Sequence, residues 1–477
     1  MAASETPRSP SPVDLAVRNV SRRDVLKGIA GVAGIAATTG ILAACAGGSS
    51  PSPSSGGVAS SAPSATAGTS SAPSESAAAS LTGALSIGSN YSDDVPKKVF
   101  AGIIDTFKKN TGVDVSVNTV DHGTFQDQIT SYLGGTPQDV FTWFSGFRMR
   151  FFAAQGFATD ISDVWGTIGS HFSDAFKVGS TGDDGKQYFI PIYNYPWAVF
   201  YRKSVFADKG YTIPTTLDEL KSLGTKMKAD GLIPFAFGDK DGWPAMGTFD
   251  ILNLRTNGYD FHVGLMAGKE KWTDPKVKTV FQTWADILPL HQEGAAGRTW
   301  QDAAQALVKK QAGMYLLGMF VSQQFQATND PKDLEDLDFF AYPNLGTQYD
   351  AEKALDAPID GLMLSAKSPT LQADLDNAKA FLEYIADPAT QVTWVTQDPS
   401  NIAAAKDADT SKYSALQKKA AELIGGAQRI TQFLDRDTNP NFAGPNGMQA
   451  FLLNFIQNPK QDLDAFLGKI QSFWDTL

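Results

Sequence analysis

The feature that most restricts this chain is the alternation that begins at Leu81. ALSIG at 84–88 has the make-up of a short strand, and Val95–Lys109 spaces its apolar residues as an amphipathic helix does. VDVSVNTV at 113–120 alternates with the two-residue period of a strand, and Thr124–Leu133 returns to helical spacing. DVFTWF at 139–144 is a third strand run, leading into a helical stretch at Arg150–Gln155. Strand, helix, strand, helix, strand predicts an α/β fold with a largely parallel sheet. Ligands of such sheets sit beyond the carboxyl ends of the strands. That rule gathers Ser89-Asn90-Tyr91, Asp121-His122 and Ser145–Arg148 on one rim.

Farther on, QYFIPIYNYPWAVFYR at 187–202 is dense in aromatic and β-branched residues and broken by Pro191 and Pro196, which predicts strands crossing between two lobes. Thr216 and Glu219 stand at capping-box spacing ahead of a helix running to about Lys228. PFAFG at 234–238, MYLLG at 314–318 and GLMLS at 361–365 read as further strands, the second returning the chain to the first lobe. Helical spacing covers Ala245–Leu254, Val277–Leu288, Trp300–Lys310 and most of the sequence after 365. A chain of 477 residues has room for roughly two or three domains, and no internal repeat divides it.

The first 80 residues have another character. SRRDVLK at 21–27 precedes a modestly apolar run of small residues that ends at Cys45, the organisation of an export signal. Arg22-Arg23 resembles a twin-arginine signal, and Leu42-Ala43-Ala44-Cys45 resembles a bacterial lipobox. Residues 1–44 are therefore expected to be cleaved, leaving Cys45 as the acylated first residue. A membrane helix with an incidental Cys is the alternative, and the many Gly, Ala and Thr residues make that a weak span. Residues 46–80 are almost entirely Ala, Ser, Gly, Pro and Thr, with Glu75 the only charged group. Such a stretch cannot offset the entropy of ordering its backbone, so 45–80 is expected to be a lipidated, disordered tether.

Composition narrows the function. The formal charge of −11 argues against wrapping a polyphosphate backbone, which needs clustered Lys and Arg. One Cys excludes an intrachain disulfide, and His122, His171, His262 and His291 lie too far apart in sequence to suggest a local metal motif. No GxxxxGK[ST] phosphate loop is present.

DVFTWFSGFRMRFFAAQG, DGKQYFIPIYNYPWAVFYRKSVF, KKQAGMYLLGMF and AKAFLEYIADPATQVTWV follow one another as blocks do in one bacterial family. Over about residues 81–477 the chain resembles the carbohydrate-binding lipoproteins of bacterial ABC importers, the extracellular solute-binding family that includes maltose-binding proteins. The first two blocks look nearest to oligosaccharide or α-glucoside binders. The resemblance implies a two-lobed periplasmic-binding-protein-like fold with a ligand cleft between discontinuous domains, roughly 81–193 with 315–361 and 194–314 with 362–477. It implies reversible capture of a neutral di- or oligosaccharide and delivery to the permease of an ABC importer, without catalysis; no cofactor and no metal ligand is expected. The protein is expected to be a monomer outside the cytoplasm, anchored through Cys45, with no nucleic-acid partner. A secreted glycoside hydrolase and a surface-anchored carbohydrate-binding scaffold are the alternatives.

Sugars present C–H faces that lie on flat aromatics and hydroxyl edges that need donors and acceptors. Trp143, with Phe144 beside it, follows an apolar strand and matches the family block facing the cleft, so it is the preferred platform, with Arg148 as a polar clamp. Interior packing is the competing reading of Trp143. Tyr193, Tyr195 and Trp197 lie in the hinge-like segment and suit either stacking or hinge packing. Trp243 is another candidate platform, against a reading as second-lobe core. Met319-Phe320 replaces a Trp expected from the family pattern, leaving Phe320 a smaller face. Asp360, beside Gly361, is a hydroxyl acceptor candidate, as are Asn90 and Asp121 at strand ends. Asp435, Arg436 and Asp437 are candidates of second rank, because a solvated salt-bridge turn explains them better.

Overall fold

The computed structural model describes residues 81–477. The expected signal with Arg22 and Arg23, and Cys45 with its tether, lie outside the described residues. Among the described residues the strands are β1 (Ala84–Ser89), β2 (Asp114–Thr119), β3 (Val140–Phe144), β4 (Ile190–Asn194), β5 (Trp197–Arg202), β6 (Ile233–Phe235), β7 (Ala312–Gly318), β8 (Leu337–Phe340), β9 (Ala354–Asp356), β10 (Ile359–Leu364), β11 (Ile402–Ala403) and β12 (Arg429–Thr431). The opening alternation forms as expected. Between β1 and β2 the helix Asp94–Thr111 buries Val99, Phe100, Ile103, Ile104 and Phe107 along one side and stops at Gly112, whose φ of 80° closes the left-handed cap.

β11-β4-β10-β3-β1-β2 make one sheet and β6-β7-β5-β8 a second, while β12 pairs with β9. The larger sheet is parallel only across β2-β1-β3; β10, β4 and β11 run antiparallel to their neighbours. The expected largely parallel sheet is thus a mixed one, because strands from far along the chain complete it. Pro196 falls between β4 and β5, and the chain leaves the larger sheet for the smaller one there. It returns between β9 and β10 and leaves again between β11 and β12. The result is a two-lobed α/β body with discontinuous lobes.

Sheet membership revises the expected boundaries. β7 lies between β6 and β5, so the 314–318 strand stays in the second lobe instead of returning to the first. β8 also pairs with β5, whereas β10 and β11 belong to the larger sheet. The segments 315–361 and 362–477 therefore each divide between the lobes. Strand pairing decides this, and a buried apolar run such as MYLLG carries no mark of which sheet will take it. No helix among the described residues is long and apolar enough to cross a membrane.

Candidate functional site

A cavity of about 450 Å³ opens among the ends of both sheets and the C-terminal segment. Its volume falls within the usual range for small-molecule sites, about 300–1,000 Å³. Of the residues singled out in the sequence, Asn90, Asp121, Tyr193, Tyr195, Trp197, Trp243, Phe320, Asp360, Asp435 and Arg436 line it. The structure brings them together from β4, β5, β10 and six separate loops, turns or helix ends.

One side is aromatic. Trp197 stacks on Phe433 with ring centroids 4.9 Å apart. Trp243 meets Phe320 edge-on at 5.7 Å, and Phe320 in turn meets Trp300 at 5.0 Å and Tyr195 at 5.5 Å. Trp243 and Phe320 are only half-buried, so they are the members with ring surface left to offer. Tyr193 turns toward Trp394 and Tyr91, at 5.6 and 6.3 Å, and lends the wall its edge.

The other side is polar and centres on Arg436. Its Nη1 donates to Asp360 Oδ1 at 2.5 Å and its Nη2 to the Tyr195 hydroxyl at 3.1 Å. Its Nε lies 3.7 Å from Asp435 Oδ1, and its guanidinium lies 3.9 Å from the Phe144 ring centre. Burial pushes the Asp360 carboxyl up, and Arg436 pulls it back toward ionisation. Burial alone would lower Arg436, but Asp360, Tyr195 and Asp435 together hold it above the ordinary arginine value. The expected solvated turn at 435–437 is therefore replaced by a buried ion cluster: Arg436 is 5% exposed and Asp435 6%.

Local structure fixes the rest. Asn90 is held by Thr142, whose hydroxyl accepts from the Asn90 backbone N–H and donates to its side-chain oxygen, both at 2.8 Å. Asp121 caps the helix His122–Gly134 by accepting from the Thr124 N–H at 3.0 Å, which lowers its carboxyl. Burial, followed by the charge of Arg436, pushes His122 down to about 4, so it faces the cavity as a neutral imidazole.

Four expected residues are placed elsewhere. Trp143 is 1% exposed and packs among Phe125, Phe141 and Phe152, because the pleat of β3 turns it toward the helices His122–Gly134 and Phe147–Ala154. It is an interior residue and offers no face to a ligand in the cavity. Phe144 is equally buried and lies behind Arg436. Arg148 lies behind the cavity wall, over the Trp143 ring at 4.8 Å. Asp437 accepts from the Gln432 N–H at 3.0 Å and braces its own turn, outside the cavity lining.

Other lining residues escaped the sequence reading. The strand-end rule sets Tyr91 and His122 on the rim, yet nothing in their local sequence marks them as ligands. Trp300 begins a helix capped by Thr299, and the sequence marks it only as the start of that helix. Phe433, Gln126 and the Gln301–Asp93 pair, hydrogen-bonded at 2.8 Å, carried no local signal.

A family model for bacterial extracellular solute-binding proteins matches residues 92–392. The chain belongs to that family. As an ABC-transporter-type extracellular solute-binding protein it has a binding role and no catalytic one. This solute-binding protein is 45% identical to the bacterial solute receptor AcbH, described as having an exclusive preference for β-D-galactopyranose. That likeness covers 83% of this chain and 99% of the receptor, with a TM-score of 0.78. It is 24% identical over 402 residues to the alpha-glucosides-binding periplasmic protein AglE of Rhizobium meliloti, spanning 80% of this chain and 84% of that one. It is also 25% identical over 340 residues to an uncharacterised ABC transporter extracellular-binding protein of Pyrococcus horikoshii, spanning 70% and 74% of the two chains.

Proposed function

We propose that this protein captures a neutral saccharide outside the cytoplasm, seats a pyranose end in the 450 Å³ cavity and hands it to an ABC importer. The observation that carries the reading is the pairing of chemistries in one cavity. Half-buried Trp243 and Phe320 supply faces for sugar C–H groups in the same cavity as the Asp360–Arg436 pair, which supplies charge-assisted partners for hydroxyls. The expected class is a di- or oligosaccharide. The likeness to the galactopyranose receptor puts a galactosyl end first among candidates, and the likeness to AglE puts an α-glucosyl end second. Asp360 and Asp435 both lean on Arg436, which suits fixed hydrogen bonding better than the free acid and nucleophile a glycosidase needs.

Within this reading, Cys45 carries the lipid that holds the protein at the membrane, residues 46–80 give it reach, and the folded body works as a monomer. Titration calorimetry of the mature chain against galactose, galactosides, α-glucosides and unrelated sugars tests the binding, with chromatography of the recovered sugar. One-to-one binding with the sugar recovered intact supports it, and cleavage of the sugar overturns it. Metabolic labelling with palmitate tests the anchor: Cys45→Ser should lose the label and release the protein from the membrane fraction.

A further inference from the structure

A second cavity of about 440 Å³ lies behind the first, and Gln126 and Asp435 line both. We propose that Gln126, Arg148 and Asp435 form a partition that limits how long a saccharide the cleft accepts, and that the space behind it is a walled-off second saccharide subsite. This rests on the sugar-binding reading of the first cavity.

The partition is thin and firmly pinned. Gln126 projects from the helix His122–Gly134. Its side-chain oxygen accepts from Arg148 Nη1 at 2.7 Å, which leaves its amide nitrogen to donate to His122 Nε2 at 2.9 Å. Arg148 closes the gap to the C-terminal segment, with Nη1 3.8 Å from Asp435 Oδ2, and is itself backed by the Trp143 ring. All three side chains are nearly inaccessible, at 8% for Gln126, 5% for Arg148 and 6% for Asp435. Fixed amide and guanidinium planes make a wall that a sugar ring cannot push aside without breaking buried charge-assisted hydrogen bonds.

The space behind has the chemistry of a sugar site. Asn441, Asn446 and Gln449 bring amides, and Phe473 brings an aromatic face. A pyranose unit needs this pairing of faces and hydroxyl partners. What separates it from the first unit's site is the Gln126 side chain with its two neighbours.

Galactose, melibiose and raffinose lengthen an α-galactosyl end by one sugar unit at a time, so they measure the length limit directly by calorimetry on the mature chain. Wild-type protein should show at least a tenfold fall in affinity at the first member that must pass the partition. Gln126→Ala should move that fall one unit longer or abolish it, and Gln126→Ser should do the same should the alanine variant fold poorly. Adding Thr130→Trp, which fills the second cavity from its exposed side, should restore the original limit. Equal wild-type affinity for all three sugars overturns the partition alone. An unchanged limit in folded Gln126 variants does the same. An absence of binding to any of the three or to the wider sugar panel overturns the sugar reading and the partition with it.

Discussion

Arg436 carries more of the site than any other side chain, because one guanidinium serves Asp360, Asp435 and Tyr195 at once. Arg436→Ala should abolish measurable sugar binding and cost about 3–5 kcal/mol of stability, the usual loss when a buried pair is left half-made. The deficit should depend on pH. Burial raises the Asp360 and Asp435 carboxyls, so proton uptake by either favours the folded state; that stability is present at low pH and is lost as pH rises through the folded-state values. Without Arg436 to offset the buried charges, chemical denaturation should show the variant's deficit growing from pH 5 to pH 8. A deficit that is constant over this range would argue against buried carboxylates as its source. The two tryptophans separate in the same way. Trp143→Ala should cost about 3–5 kcal/mol, as large core truncations do. Trp243→Ala should weaken sugar binding about tenfold to hundredfold with a smaller loss of melting temperature, each factor of ten being about 1.4 kcal/mol.

Among the elements, β10 has the tightest constraint. Its register against β4 shifts between Asp360 and Gly361, a bulge that marks where Asp360 meets Arg436. Gly361 makes this possible: a Cβ there would come within 1.9 Å of the Ile190 carbonyl oxygen and 2.6 Å of the Phe189 ring. Gly361→Ala should therefore disrupt β4–β10 pairing, and circular dichroism with thermal melts should show a strongly destabilised protein. A native-like melt would mean the bulge can relax. The turn Leu434–Asp437 is held by Asp250, whose buried carboxyl oxygen accepts from the Leu434 N–H at 2.8 Å. An interior carboxyl group far away in sequence thus helps hold the turn that carries the cavity-lining Asp435 and Arg436.

Across the whole molecule, hydrogen bonds join the two lobes around the cavity. Gln301, at the start of the helix Trp300–Val308, donates to Asp93 beside β1 at 2.8 Å. The bond adds about 1 kcal/mol to the arrangement that encloses a ligand, or about fivefold in a dissociation rate. Gln301→Ala should raise the sugar off-rate by about that factor in stopped-flow measurements while leaving the ligand-free melting temperature nearly unchanged. An equal loss with and without sugar would assign the bond to general stability. The passages between β4 and β5, β9 and β10, and β11 and β12 leave both lobes built from separated stretches of chain.

The sequence by itself determined the local elements and the rim. Strand and helix periods at 84–155 and the capping box at Thr216 and Glu219 are formed by residues within a few positions of one another, so their signals survive in any short window. The strand-end rule placed Asn90 and Asp121 beside the cavity for the same reason, and the block order pointed to the family. Only the tertiary structure decided which face Trp143 presents, which sheet receives β7 and β8, and whether Asp435 and Arg436 meet water. Those outcomes depend on partners remote in sequence: Arg436 finds Asp360 across 76 positions and Tyr195 across 241. A charged triplet looks the same in sequence whether it is solvated or buried. Desolvation and pairing are properties of what folds over it, and here the larger sheet and the hinge strands fold over it.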